Sequence, residues 1–226
     1  MELQIVARVH SPFGTKFGVP RQSGLAKEVR SELVFEPPFR DPEALRGIEG
    51  FSHLWLIWEF SENADRGWSP TVRPPRLGGN ARMGVFATRS PFRPNALGLS
   101  CVELAGVEKH PELGTVLRIR GGDMMDGTPV YDVKPYVPYA DCRPQARSGF
   151  APDPGGRLAV EYAPGTAEML PEDKRAALTG ILANDPRPRY QKDGERVYTM
   201  DFAGAEIKFT GTESTIRVVE VSFPGG

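Results

Sequence analysis

Gln4 to His10 alternates apolar and polar positions, which predicts a first strand ended by Ser11-Pro12. Lys16 to Gly24 (KFGVPRQSG) is too rich in Gly and Pro for a regular element and reads as a loop. Leu33 to Phe35 has the pattern of a short strand. Asp41-Pro42-Glu43 marks a helix start, with Asp as N-cap, Pro in the first helical position and an acid in the first turn. Gly47 and Gly50 keep that helix brief. Ser52 to Phe60 (SHLWLIWEF) is nearly continuous apolar and aromatic, the pattern of a buried central strand, and it assigns Phe51, Trp55, Trp58 and Phe60 to the core. Leu97 to Val107 and Thr115 to Arg120 predict further strands. Asp123 to Pro129 (DMMDGTP) carries the Asp-Gly signal of a turn between paired strands. Val130 to Val133 is extended again, and Pro135 to Asp141 breaks the pattern.

From Arg143 to Gly156 the composition is that of a linker. Beyond it lie a short strand, Leu158 to Tyr162, and a helix, Pro171 to Ala183, in which Leu170, Ala177, Leu178, Ile181 and Leu182 make one apolar face. Val197 to Phe202, Ala205 to Phe209 and Thr215 to Phe223 predict three closing strands. The expected architecture is mainly β: a β-dominated domain over residues 1–145 and a small α+β domain over 157–226.

Composition narrows this without redirecting it. The 226 residues include 25 Gly and 22 Pro, which implies many turns and short elements. No run of some 18 apolar residues exists, so no membrane span is expected, and MELQIVARVH lacks the basic-then-apolar pattern of a signal peptide. Cys101 and Cys142 have no CxxC spacing and His10, His53 and His110 are scattered, so neither metal nor disulfide is expected and the compartment reads as cytoplasmic. A formal net charge of −1 argues against a general polyanion binder.

The charge is unevenly placed, however. Between Arg66 and Val102 there is no Asp or Glu, yet Arg66, Arg73, Arg76, Arg82, Arg89 and Arg93 all fall there. A merely solvated face mixes both signs, whereas a guanidinium fork suits a planar anion such as a carboxylate or phosphate. The segment therefore reads as a pre-shaped anion-binding surface. Nucleotide signatures are missing: no GxGxxG joins a strand to a helix, and neither GxxxxGK[ST] nor GxSxG occurs. Ser100 and Cys101 have no evident histidine partner, and the spacing of Glu103, Asp132 and Asp141 demands no carboxylate pair. Residue chemistry alone stops at a β-rich protein with an arginine-lined site, compatible with a non-catalytic barrel that binds RNA or a nucleotide.

Several stiff polar stretches carry the reading further: VPRQ (19–22), FSHLWLIWEF (51–60), PTVRPPRLGGNARMGVFATRSPFRPN (70–95), DGTPVYDVKPYVPYAD (126–141) and DPRPRY (185–190). Together they closely resemble the TrmO family over nearly the whole chain. That resemblance implies an S-adenosylmethionine-dependent methyltransferase acting on N6-threonylcarbamoyladenosine at position 37 of tRNA. It implies a single-sheet β-barrel with a small carboxy-terminal domain, and a homodimer with cofactor near the subunit interface. Carried over residue by residue, it places Pro20, Arg21, Gln22, Ser61, Glu62, Arg89, Leu99 and the turn Asp126, Gly127, Thr128, Pro129 around the cofactor. Ser61 stands where many relatives have histidine, which leaves a backbone contact there. Arg21 or Arg89 is expected on the methionine carboxylate, Asp126 on a ribose hydroxyl or the amino group, and Leu99 over adenine. Arg93, Asn95, Arg187 and Tyr190 are expected on the modified nucleoside or the anticodon loop, with Tyr190 or Trp68 stacking on an unpaired base. No general base is assigned.

Overall fold

The computed structural model describes residues 2–153, 155–188 and 196–224. In chain order the regular elements are β1 (Ala7–His10), β2 (Arg30–Phe35), β3 (His53–Glu59), β4 (Thr71–Val72), β5 (Met83–Gly84), β6 (Leu97–His110), β7 (Gly114–Arg120), β8 (Pro129–Pro135), α1 (Pro138–Asp141), β9 (Ala159–Tyr162), α2 (Glu172–Ala183), β10 (Tyr198–Phe202), β11 (Ala205–Gly211) and β12 (Thr215–Ser222). Short 3-10 turns fill several of the connections. The protein is mainly β.

Strands β1, β2, β7, β6, β3 and β8 pair in that order, and β8 returns to β1, so this sheet closes on itself as a barrel. Its interior is Ala7, Val9, Leu33, Leu54, Leu56, Trp58, Val102, Leu117, Ile119, Met124 and Val130. In β3 only the alternate residues Leu54, Leu56 and Trp58 point inward, so the apolar run is buried on one face rather than two. Phe51, expected in the core, is 39% exposed at the strand's entrance. Trp55 is half-buried on the outer face, tilted against Tyr136. Phe60 is also half-buried, its ring 4.4 Å from that of Trp58. Trp58 lies over Gly98 of β6, where any Cβ would run into the indole.

Asp41 caps the short 3-10 turn Pro42–Leu45 as expected, its Oδ1 accepting from the Glu43 N–H at 2.9 Å. The first strand is shorter than the alternation suggests, starting at Ala7. The Asp-Gly turn departs from expectation: it joins β7 to β8, which are not neighbours in the sheet. It is a crossing loop, not a hairpin, held across the barrel end by β1: the Gly127 N–H donates to Val9 O at 2.8 Å and the Val9 N–H to Thr128 O at 3.0 Å.

A second sheet, ordered β10-β11-β12-β9 with β9 parallel to β12, packs against α2. The apolar face expected of that helix, Leu170, Ala177, Leu178, Ile181 and Leu182, is buried there. This core also recruits residues from far upstream: Phe13, Ala26 and Val29 are buried in it, and Phe17 and Val19 pack against it. The β1–β2 connection, which joins two barrel strands, therefore packs into the second core. Its course depends on glycine. Gly18 has φ +97°, and a Cβ there would strike the end of Met200 on β10. Gly24 donates to Gly121 O at 2.8 Å, and Gly121, at φ +71°, lies against its backbone.

Gly18→Ala combines a left-handed backbone with a side-chain collision, so it is expected to destabilise by about 1–3 kcal/mol. Urea denaturation of wild type and variant measures this; equal midpoints would show that the connection adapts freely.

Candidate functional site

The stretch VPRQ lies in the shared connection and is tied to both halves of the molecule. Arg21 Nη2 donates to the backbone oxygens of Asp185 and Arg187, each at 3.0 Å. Gln22 Oε1 accepts from Arg89 Nη1. Lys16 Nζ reaches Asn63 Oδ1 at 3.1 Å, which brings the turn containing Ser61 and Glu62 against the same connection. Asp126 joins from the crossing loop: its N–H donates to Phe13 O at 2.9 Å and its Oδ1 accepts from the Ser11 N–H at 3.0 Å. His10 Nδ1 lies 3.5 Å from the same oxygen. Gly127 takes φ +73°, and Thr128 is buried with its hydroxyl turned onto Met125 O. Four separate motifs thus meet the β1–β2 connection.

A further group, Asp123, lies in the β7–β8 crossing ahead of the turn. Its Oδ1 accepts from Ser100 Oγ at 2.6 Å, and Ser100 Oγ accepts from Trp58 Nε1 at 2.9 Å. The Ser23 N–H and its own N–H also hold the Asp123 carboxylate, and Arg89 attracts it. Burial nevertheless pushes its pKa above the ordinary carboxylate value, the hydrogen bonds and Arg89 opposing that shift. Sequence patterns single out neither Asp123 nor Ser23; the one signal was that DMMDGTP places a second acid just ahead of its turn.

The arginine-rich segment divides on inspection. Arg93 Nη1 donates to Thr88 O at 2.8 Å and Val85 O at 3.3 Å and the guanidinium lies over the Phe86 ring, so it shapes the loop. Arg76 donates to Asp153 O and Arg82 to Thr71 Oγ1 at 3.2 Å. Arg66, Arg73 and Arg89 are exposed, as are Asn95 and Trp68. Leu99 is 56% exposed on the outer face of β6.

Arg187 is the clearest correction to the sequence reading. It is 6% exposed. Its Nε donates to Asp185 Oδ1 at 2.7 Å, Nη2 to Asp185 Oδ2 at 3.2 Å and Thr212 O at 2.7 Å, and Nη1 to Gly211 O. A guanidinium so occupied fixes the 185–188 backbone and is not presented to a nucleic acid. Arg21, which is exposed, braces that backbone through Nη2. Tyr190 lies outside the described residues. Grooves of about 320 Å³ (at Phe17, Pro188 and Tyr198) and about 560 Å³ (at Tyr162, Arg175 and Gly180) lie elsewhere and contain none of the expected cofactor residues.

Among the described residues no cluster of His, Cys, Asp and Glu could hold a metal, and no helix is long and apolar enough to cross a membrane. Fold and site together define a class: a mainly β protein in which the stretches VPRQ, DGTP and the arginine-rich segment meet on loops, without a doubly wound nucleotide fold. Comparison with known proteins gives that class a family. The profile of the tRNA-methyltransferase O N-terminal domain matches residues 8–142, and that of the TrmO C-terminal domain matches 156–224. The chain belongs to the TrmO family. It is 45% identical to the Escherichia coli K12 protein named tRNA (adenine(37)-N6)-methyltransferase, covering 96% of each chain. It is 41% identical to a Pseudomonas aeruginosa protein named putative S-adenosylmethionine-dependent methyltransferase RcsF, covering 87% of this chain and 88% of that one. A crystal structure of TrmO from Pseudomonas aeruginosa superposes with a TM-score of 0.81 at 33% identity, over 98% of both chains.

Removing the Arg187 guanidinium leaves Asp185 unpaired and two backbone carbonyls unsatisfied, so Arg187→Ala is expected to lose about 3–5 kcal/mol of stability. Chemical denaturation measures the loss. A variant of wild-type stability that bound tRNA poorly would instead restore Arg187 as a direct nucleic-acid contact.

Proposed function

We propose that this protein is an S-adenosylmethionine-dependent methyltransferase that methylates N6 of threonylcarbamoyladenosine at position 37 of tRNA. Family membership along both halves of the chain supports the reaction class. The observation that carries the site is the meeting of VPRQ, the 61–66 turn, Arg89 and the DGTP turn on one connection. The donor set fits the cofactor's chemistry. Arg89 offers an exposed guanidinium for an amino-acid carboxylate. Asp126, its side chain 52% exposed, can accept from a hydroxyl or ammonium group. Leu99 offers apolar surface for a purine, and Pro20, Arg21, Gln22, Ser61, Glu62, Gly127, Thr128 and Pro129 line the approach, in part through backbone. When bound, S-adenosylmethionine supplies a methyl group on an electrophilic sulfonium.

The acceptor nitrogen lies between a purine and a carbonyl, so it is a weak nucleophile with a relatively acidic N–H. Alignment and exclusion of water then carry most of the acceleration. The braced loops serve the first of these, because hydrogen bonds fix them to both cores before any ligand arrives. Arg66, Arg73 and Asn95 remain exposed for the threonyl carboxylate or anticodon-loop phosphates, and Trp68 for an unpaired base. We assign the amino-terminal barrel, residues 1–145, to cofactor binding and methyl transfer, and residues 157–226 to substrate recognition. The latter acts by holding the 185–188 segment rather than through Arg187 itself. A cytoplasmic homodimer accords with the outer barrel face, where exposed Leu99 pairs with half-buried Ile57.

Incubating the protein with threonylcarbamoylated tRNA and methyl-labelled cofactor, then digesting to nucleosides for mass spectrometry, tests the reaction. The expected result is one added methyl on the modified adenosine. Salt-sensitive RNA binding without cofactor binding would point to a non-catalytic barrel instead. Arg89→Ala is expected to lose about 1.5–3 kcal/mol of cofactor binding, roughly tenfold to hundredfold. Its melting temperature should hardly change, since the side chain is exposed. Calorimetric titration showing unaltered affinity would remove Arg89 from the cofactor site.

A further inference from the structure

We propose that Phe86 is a stacking platform for an unpaired base of the tRNA, and that Arg93 is the positioning residue that holds its ring ready. The inference rests on the tRNA reading above and gives recognition a side chain with no expected ligand contact.

A lone apolar side chain on a surface needs no explanation, but the setting of Phe86 is unlike that of a stray surface ring. It is 73% exposed, yet the 3-10 turn that carries it, Val85–Ala87, is firmly braced. Val85 is buried at its start, and the Val85 N–H donates to Pro70 O at 3.0 Å. Val85 O accepts from the Thr88 N–H at 3.1 Å, from Thr88 Oγ1 at 2.8 Å and from Arg93 Nη1 at 3.3 Å. The same Nη1 reaches Thr88 O at 2.8 Å, and the guanidinium carbon lies over the Phe86 ring, 5.7 Å from its centroid. A cation at that distance is attracted to the ring face. Arg93 thus fixes both the backbone of the turn and the ring that projects from it, while most of the ring stays in water.

A ring held this way has already lost rotamer freedom that binding would otherwise cost. It offers a flat apolar surface, and its surroundings select the flat partner that fits. No Asp or Glu occurs between Arg66 and Val102, and Arg66, Arg73, Arg82 and Arg89 of that stretch are exposed. A second aromatic, Trp68, is 56% exposed on a segment pinned to this one, the Ser69 N–H donating to Phe92 O at 3.2 Å. Exposed rings among guanidinium groups suit unpaired RNA, in which each base has a π face to stack and each nucleotide a phosphate to neutralise. An isologous contact with a second copy would instead set these arginines against one another.

Filter binding of threonylcarbamoylated tRNA to the full-length protein over a range of salt tests this, beside cofactor calorimetry, light scattering and melting temperature. Phe86→Ala should weaken tRNA binding about tenfold, the scale of one lost base–aromatic stack. Its plot of log affinity against log salt should keep the wild-type slope, because no phosphate contact is lost. Cofactor affinity, oligomeric state and melting temperature should not change. Phe86→Tyr should retain tRNA affinity and Phe86→Leu should not, since stacking needs the ring and not merely apolar bulk. A fully paired RNA duplex should bind wild type and Phe86→Ala alike, having no free base to stack. Arg93→Met should weaken tRNA binding as well, and combining it with Phe86→Ala should add little. A shallower salt slope for Arg93→Met would make Arg93 a phosphate contact and overturn its positioning role. Unaltered tRNA affinity in Phe86→Ala, full activity of Phe86→Leu in binding, or an equal loss on the duplex would overturn the platform. Loss of cofactor affinity or of the wild-type oligomeric state would also overturn it, placing Phe86 against the cofactor or a second copy. Wild-type protein that binds tRNA without transferring methyl would refute the proposed reaction and leave the Phe86 result standing, so the two failures are distinct.

Discussion

The contact between the Arg21 guanidinium and the Asp185 and Arg187 carbonyls holds the carboxy-terminal sheet against the loop that carries the expected cofactor residues. Those carbonyls are in place because Arg187 is buried beneath them, spending its donors on Asp185 and on the β11–β12 turn at Gly211 and Thr212. From there the path runs through Gln22 to Arg89, and a separate chain joins Asp123 to Ser100 and Trp58 inside the barrel. Arg187 at one end and Ser100 and Trp58 in the barrel are buried, while Arg21 and Arg89 between them are exposed. Such a network is costly to leave half made, so the two cores and the loop between them are tied into one arrangement. The shared hydrophobic packing of Phe13, Ala26 and Val29 gives the same constraint an apolar basis.

Much of the fold was legible because its signals are local. Alternation at Thr115 to Arg120, the helical spacing of Ala177, Leu178, Ile181 and Leu182, and the Asp41 cap each depend only on residues a few positions apart. What escaped depends on partners distant in sequence. Asp-Gly is a sound turn signal, but whether the flanking strands pair depends on which others intervene; here β1 and β2 and β6 and β3 do. A linker at residues 143–156 reads directly from composition, yet nothing near Phe13 or Val29 reveals that they cross to the second core. The aromatic run at 51–60 showed a strand correctly but could not show that its outer face lacks a second layer.

For the site, the same limit separates motif from role. The family resemblance located the stretches, and the structure brings VPRQ, Arg89 and DGTP to one connection. It could not apportion the arginines. Guanidinium groups serve both as anion receptors and as cross-links for backbone carbonyls, and sequence shows the same letter for each. Arg93, Arg187 and Arg21 cross-link to backbone carbonyls here, whereas Arg89 donates to a side chain, Gln22 Oε1. The acid-free stretch from Arg66 to Val102 is thus partly a structural device: its loops have few regular ladders, and arginines satisfy their carbonyls instead.

That substitution explains how such a site can be built at all. A doubly wound fold presents anions to a helix N-terminus, where backbone N–H groups are already ordered. Here the expected cofactor residues lie on loops, which ordinarily pay a conformational penalty on binding. The structure meets that penalty during folding. Gly18 and Gly121 adopt left-handed backbone that lets the chain lie close against Met200 and Gly24, and the carbonyl-directed arginines lock the paths of the loops.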